Sequence, residues 1–331
     1  MGLVNPFYYP TSRATAATLR EYARLNTVDK IDWGLPGLDD YLVPHVAGLM
    51  HGIVARTSNG KSSLMVHLAR HAAKKLKPDE YVVYITYETL VEQFVTNMVS
   101  HITGIGVGNL YRDNIDINAM ESVLVDLIGT RMVIIGRSME TPSEGRLTLG
   151  VVDNTLREME NTGLKPGMLL VDYLQIMEHD DLSLNRTAQV TDHIIRLKTM
   201  GQRYKVPTCF AVQAGRSLDD KTGVRWPDVN SSEWSSSIEQ TVDSLVGVTR
   251  PIQYMDEGTE INQSMKGGTA TYTVNQNLMG INIIKQRFGA VNIKRFYHYT
   301  PQTMEFAPID PHIKEDDSMG LNEFEGFNFD E

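Results

Sequence analysis

Cysteine is nearly missing from this sequence: Cys209 is the single one among 331 residues. One thiol can form neither an internal disulfide nor a cysteine-rich zinc site. It lies in the apolar run "VPTCFAVQA", where a buried strand cysteine is the plain reading. Long hydrophobic runs are missing too. No stretch approaches the roughly 18 apolar residues of a membrane-spanning helix. The start, "MGLVNPFYYP", has no basic residues followed by an apolar segment, so it does not read as a secretory signal. Pro6 stands where a myristoylation signal carries Ser or Thr. These absences point to the cytoplasm and to no membrane partner. Positive charge is also scarce. Lys and Arg number 31 against 41 Asp and Glu, a net charge of −10. A domain that simply coats nucleic acid is usually basic. Any grip on DNA must then be local, or pooled from several subunits.

What is present is an ordinary globular composition, 41% hydrophobic and 22% charged. Residues 11–26, "TSRATAATLREYARLN", predict a short amphipathic helix capped by Thr11 or Ser12, with Leu19, Tyr22 and Ala23 on one face. Apolar, β-branched runs at 50–56, 81–87, 132–136, 168–175, 206–213 and 244–249 predict strands. Helical patterns at 61–75, 89–103, 116–129, 146–162 and 186–204 separate most of them. Continuous apolar strands alternating with helices imply an α/β fold with a mostly parallel, twisted sheet covered on both faces. After residue 250 the pattern changes. "TATYTVN", "INIIKQR" and "NIKRFYHYT" are closely spaced and separated by Gly and Asn, which predicts antiparallel hairpin strands. The tail from Lys314, "KEDDSMGLNEFEGFNFDE", is acidic with three phenylalanines and reads as disordered. It is either a docking peptide or a solvated end.

One loop carries the strongest chemical signal. "ARTSNGKSS", Ala55 to Ser63, follows a predicted strand and opens a predicted helix. It matches the phosphate-loop pattern except that Ala55 replaces the first glycine, which an extended backbone tolerates. In such a loop the backbone N–H groups of Arg56, Thr57, Ser58, Asn59 and Gly60 and the helix N-terminus cradle phosphate. Lys61 reaches the β- and γ-phosphates, and the Ser62 hydroxyl ligates Mg²⁺. Gly60 occupies a place where a side chain would meet phosphate. Asp172 ends the run "GMLLVDYLQ" and is a second magnesium ligand, unless it is an ordinary strand-end aspartate. Glu88, in "VYITYETL", also ends a strand and can polarise an attacking water, a role compatible with stabilising the helix that follows. His67 and His71 have metal spacing but no acidic motif between them, and read as helix-face histidines.

Taken in order, these segments resemble a family. The chain resembles the C-terminal motor domain of DnaB-type replicative DNA helicases, within the RecA-like P-loop ATPases, over about residues 30–307. Seven segments carry the resemblance: "WGLPGLDDYL", "ARTSNGKSS", "YITYETL", "LLVDYLQIM", "HIIRLKTMGQRYKVPTCFAVQAGRS", "SSSIEQTVDSLVGVTR" and "IIKQRFGAVN". It implies an ATP- and Mg²⁺-dependent motor that unwinds DNA in replication, a homo-oligomeric ring of six, and 5′ to 3′ travel on single-stranded DNA. It further implies that Gln213 senses the γ-phosphate, and that Lys285 and Arg287 reach into the neighbouring subunit's ATP site. Their i, i+2 spacing puts both on one side of a strand. A solvated strand face is the alternative for that pair.

The resemblance divides the chain into an arm (1–30), a motor domain (31–307) and a tail (308–331). The arm resembles a linker helix that packs on the next subunit. The family's N-terminal primase-docking domain has no counterpart in this sequence. Nor does the arginine and glycine of its DNA-touching loop, which here reads "VNSSEWSSS". Trp234 in that stretch either stacks on a base or anchors the loop. Arg186, Arg216, Lys221 and Arg225 are the other candidates for DNA contact. The acidic tail suits a primase, polymerase or loader. Two other readings stay open: a RecA- or RadA-like recombination ATPase, and a KaiC-like regulatory ATPase that moves no DNA.

Overall fold

The computed structural model describes residues 11–27, 30–112, 131–141, 145–215, 223–231, 235–265, 268–309 and 312–314. The helix expected over 116–129, the candidates Arg216, Lys221 and Trp234, and the tail from 315 onward lie outside the described residues.

Helix α1 spans Thr11–Thr27, and its Leu19 is 63% exposed. Strand β1 (Met50–Ala55) leads into α2 (Lys61–Lys75), then β2 (Glu80–Thr86), α3 (Val91–Thr103) and a short α4 (Val107–Arg112). There follow β3 (Met132–Ile135), α5 (Leu149–Asn161), β4 (Lys165–Asp172), α6 (Arg186–Tyr204), β5 (Thr208–Gln213), α7 (Ser235–Thr241) and β6 (Ser244–Thr249). The last strands are β7 (Glu260–Met265), β8 (Gly268–Thr273), β9 (Leu278–Gln286), β10 (Lys294–Thr300), β11 (Glu305–Pro308) and β12 (His312–Lys314). Among the described residues, nine strands form one sheet in the order β11-β10-β9-β6-β1-β5-β4-β2-β3. From β6 to β3 the pairs are parallel. From β6 to β11 they are antiparallel. A smaller sheet, β12-β8-β7, packs through Ala270 and Tyr272 against Leu278 and Phe296.

The parallel strands read as unbroken apolar runs because both of their faces are buried. In β5, Cys209 and Ala211 face one core while Phe210 and Val212 face the other. In β4, Met168 and Leu170 divide from Leu169 and Val171 in the same way. Removing the fully buried Phe210 side chain would cost about 3–5 kcal/mol. Cys209 is the buried strand cysteine that the sequence suggests. Among the described residues, no helix is long and apolar enough to cross a membrane.

Several boundaries differ from expectation. The strand expected over 168–175 runs from Lys165 to Asp172, where its pairing with β2 ends at Thr86, and residues Leu174–Ile176 form a 3-10 turn instead. The strand expected over 206–213 begins at Thr208, after Pro207, which has no N–H for a ladder. The helix expected from 89 begins at Val91, with Leu90 extended and its N–H donated to the Gln93 side chain. β7, "EINQSM", is too polar to show a strand pattern.

Candidate functional site

β1 ends at Ala55, whose backbone is extended, and the chain then turns sharply into α2. Ser58 and Gly60 take left-handed conformations, with φ of 63° and 87°. Gly60 caps the helix. A Cβ at this position would collide with the Met279 side chain of β9. The left-handed backbone, with φ of 87°, is what calls for glycine here, since the end of the Met279 side chain could swing aside for a Cβ. Leu64, Met65, Leu68, Ala69 and Ala72 bury the helix against the sheet. Its last turn carries Lys74 and Lys75, which suit the negative end of the helix dipole.

The loop borders an open cavity of about 340 Å³. Ala55 through Ser58, Gly60 through Ser63, Glu88 and Gln213 line it. Lys61 enters from the helix start, its Nζ 3.5 Å from Glu88 Oε2 and 3.5 Å from Asp172 Oδ1. The same ammonium lies over the Tyr173 ring, 3.3 Å from its centroid. Burial holds the Lys61 pKa below the ordinary lysine value, and the Asp172 and Glu88 charges oppose that shift. Three parallel strands thus deliver three charges to one edge: β1 through its loop, β2 through Glu88 and β4 through Asp172. That edge, beyond the carboxyl ends of the strands, is where open α/β sheets bind ligands.

Asp172 is 2% exposed. Its Oδ2 accepts a hydrogen bond from the Tyr84 hydroxyl at 3.0 Å. Its Oδ1 is buried without a hydrogen bond and faces the Lys61 ammonium. A buried carboxylate oxygen with no hydrogen bond, at the strand edge where Lys61 enters the cavity, fits a hard cation. No cluster of three or more His, Cys, Asp or Glu able to hold a metal exists among the described residues. The donor set therefore suits a magnesium ion that takes most of its ligands from water and phosphate.

The other expected residues fall into three groups. Gln213, at the end of β5, donates from Nε2 to Thr57 Oγ1 at 3.0 Å, which ties the loop to the neighbouring strand. Lys285 and Arg287 lie on the antiparallel side, away from this cavity. Lys285 Nζ donates to the Glu239 carbonyl and, at 3.1 Å, to the Val242 carbonyl. Arg287 donates to the Gln240 carbonyl at 2.8 Å, and its Nε lies 3.5 Å from Asp243. Both therefore point to the same side, onto the C-terminal end of α7. Of the described DNA candidates, Arg186 donates to the Gln189 side chain at 2.9 Å and to the Met177 carbonyl at 3.3 Å. Arg225 lies over the Tyr254 ring, 4.5 Å from its centroid. His67 contacts the Gly34 carbonyl, and His71 pairs with Asp32.

Some residues of the cavity escaped the sequence. Arg250, Tyr299 and Pro301 line it from the antiparallel half. The Tyr299 hydroxyl is 2.7 Å from Ser63 Oγ, and Arg250 sits over the Tyr299 ring. Arg250 directly follows β6, a position that could have singled it out. Tyr299 carried no signal. Gln175 also went unassigned. It exchanges two hydrogen bonds with the Gln213 backbone, at 2.9 and 3.1 Å, and so fixes the end of β5.

Comparison with known proteins agrees with this layout. The replicative DNA helicase DnaB of Helicobacter pylori (strain J99) is 24% identical over 311 residues, covering 87% of this chain and 62% of that protein. The chain thus spans less than two thirds of the length of such curated relatives. A solved DnaB-like replicative helicase, reported with its interactions with primase, superposes with a TM-score of 0.71 at 17% identity. That match covers 89% of this chain and 68% of the other. A second solved structure, an ATPase domain, also reaches 0.71 at 16% identity, over 89% of this chain and 98% of its own. Both show the same fold, the RecA-like ATPase sheet. The model of the DnaB-like helicase C-terminal domain matches residues 31–308. The chain belongs to the DnaB-like helicase C-terminal domain family.

Proposed function

We propose that this chain is the motor of a ring-forming DNA helicase, which couples ATP hydrolysis to travel along single-stranded DNA and to duplex unwinding in replication. The observation that carries this reading is the Lys61 ammonium held between Glu88 and Asp172 at the mouth of the phosphate loop. A triphosphate in the cavity would take over the lysine from the two carboxylates. The loop N–H groups and Lys61 would hold the β- and γ-phosphates. Ser62 and Asp172 would hold magnesium, whose charge neutralises the phosphate oxygens. Freed from Lys61, Glu88 would accept a proton from the attacking water, giving ADP and inorganic phosphate.

Gln213 bridges the loop to β5 and would report loss of the γ-phosphate. Lys285 and Arg287 are half-buried or exposed cations on helix-end carbonyls, outside their own chain's cavity. In a head-to-tail ring, here a hexamer, they would complete a neighbour's site and stabilise charge as the phosphoryl bond breaks. The motor is residues 31–307. The arm at 1–30 would pack on the next subunit, and the tail at 308–331 would dock on a primase, polymerase or loader. Single-stranded DNA would meet Arg186, Arg216, Lys221, Arg225 and Trp234. The setting is the cytoplasm of a bacterial or phage-infected cell.

The deciding experiment is phosphate release with and without single-stranded DNA, with Lys61→Ala as the blank, followed by strand displacement on a forked duplex. Several-fold stimulation by DNA and ATP-dependent displacement are expected. Hydrolysis indifferent to DNA would end the motor reading and favour a regulatory ATPase.

A further inference from the structure

The phosphate loop carries one buried polar side chain that does not line the cavity. Asn59 is 2% exposed. Its Nδ2 donates to the Tyr254 hydroxyl at 2.6 Å and to the Thr57 carbonyl at 3.1 Å. Its Oδ1 accepts the Arg250 N–H at 2.8 Å. The loop is thereby tied to the turn after β6. Tyr254 belongs to that turn, and its ring supports the Arg225 guanidinium at 4.5 Å. The next residue, Trp226, is wedged against Gly280, where a Cβ would come within 2.6 Å of the indole. Phe296 flanks the same ring, with centroids 5.3 Å apart, and the Pro227 carbonyl accepts from Asn282 at 3.0 Å. Segment 223–231 is thus pinned at Trp226 and touched from the nucleotide side at Arg225. It leads into the stretch that the resemblance places near DNA.

We propose that Asn59, Tyr254 and Arg225 are positioning residues that carry the state of the phosphate loop to segment 223–231. The inference rests on the nucleotide reading above. A buried amide with three hydrogen bonds cannot shift with the loop unless it moves Tyr254 or leaves a polar group unpaired. A cation stacked on that ring follows the ring. A second connection runs from Thr57 through Gln213, and Gly215 N–H donates to the Ser231 carbonyl at the far end of the segment. The two routes enter from opposite ends, so variants can separate them.

The test is hydrogen–deuterium exchange of peptides covering 223–231 in the full chain, with and without magnesium and a slowly hydrolysed ATP analogue. A fluorescent ATP analogue measures binding separately. In the wild type the analogue should change exchange in this segment by about ten-fold. Tyr254→Leu removes the hydroxyl and the ring, and Arg225→Gln removes the stacked charge. Each should reduce the response to within about two-fold of none. Tyr254→Phe keeps the ring, and should cut the response by about three-fold even where the leucine variant folds poorly. Nucleotide affinity of the Tyr254 variants should stay within about three-fold of wild type, which a merely disrupted cavity would not allow. A full response in folded Tyr254→Leu would assign the coupling to the Gln213 route and overturn the proposal. So would an unresponsive wild type that binds nucleotide. Failure of the wild type to bind nucleotide at all would overturn the nucleotide reading itself, and the relay with it.

Discussion

Lys61 and Lys285 are two cations drawn partly out of water on opposite halves of one sheet. Burial lowers the pKa of each. Lys61, on the parallel half, has two carboxylates at 3.5 Å that oppose the shift. Lys285, on the antiparallel half, has a like charge in Arg287 that adds to it, and rests on main-chain carbonyls at the end of α7. The first cation belongs to a site whose acids come from its own chain. The second belongs to a cation pair that otherwise rests on carbonyls and has one carboxylate, Asp243, 3.5 Å from Arg287 Nε.

Mutating the two halves should break this comparison most strongly. Lys61→Ala and Arg287→Ala should each lower hydrolysis by about 10³-fold. Phosphate release measures both. Mixed in equal amounts, the two variants should regain part of the activity, since some interfaces then pair an intact Lys61 with an intact Arg287. Mixtures as inactive as their components would place Arg287 outside any shared site. Glu88→Gln should come next, with kcat lower by about 10²-fold or more while nucleotide affinity holds. A tenfold loss of affinity with little change in kcat would make Glu88 a binding residue rather than a base.

The smallest effect contrasts the charged strand ends with the neutral interior beneath them. Burial pushes His51 and His193 down to about 4, from an ordinary value near 6.5. Between those values the unfolded chain binds protons that the folded chain refuses. Stability is therefore complete above pH 6.5 and falls as the pH drops towards 4, by about 1.4 kcal/mol per pH unit for each histidine. Urea denaturation at pH 7 and pH 5 should show it. His51→Gln should flatten the dependence relative to wild type. An unchanged slope would mean that His51 is protonated in the fold.

Much of the parallel half was legible because its chemistry is local. "ARTSNGKSS" is a contiguous loop, and Glu88 and Asp172 each close an apolar run, so strand order alone brings them together. α6 was expected over the residues it occupies, with Asn185 accepting the Ala188 N–H at its start. The antiparallel half was less legible. β7 is polar, β11 and β12 are short, and Tyr299 meets Ser63 across 236 residues of chain. Arg225 was a candidate for DNA contact, and its place over the Tyr254 ring could be read only from the packed chain.

The sequence by itself determined the alternation of strand and helix, the phosphate loop and the carboxylates at two strand ends. Each of these depends on spacing and side-chain type within a short stretch. Tertiary structure alone decided that Asn59 would lock the loop to Tyr254, that Tyr84 would hold Asp172, and that Lys285 and Arg287 would lie on the end of α7. Those contacts join residues 88 or 195 apart in the first two cases and more than 40 apart in the others. No local pattern encodes a partner at such separations, because the contact exists only once the strands between have taken their places in the sheet.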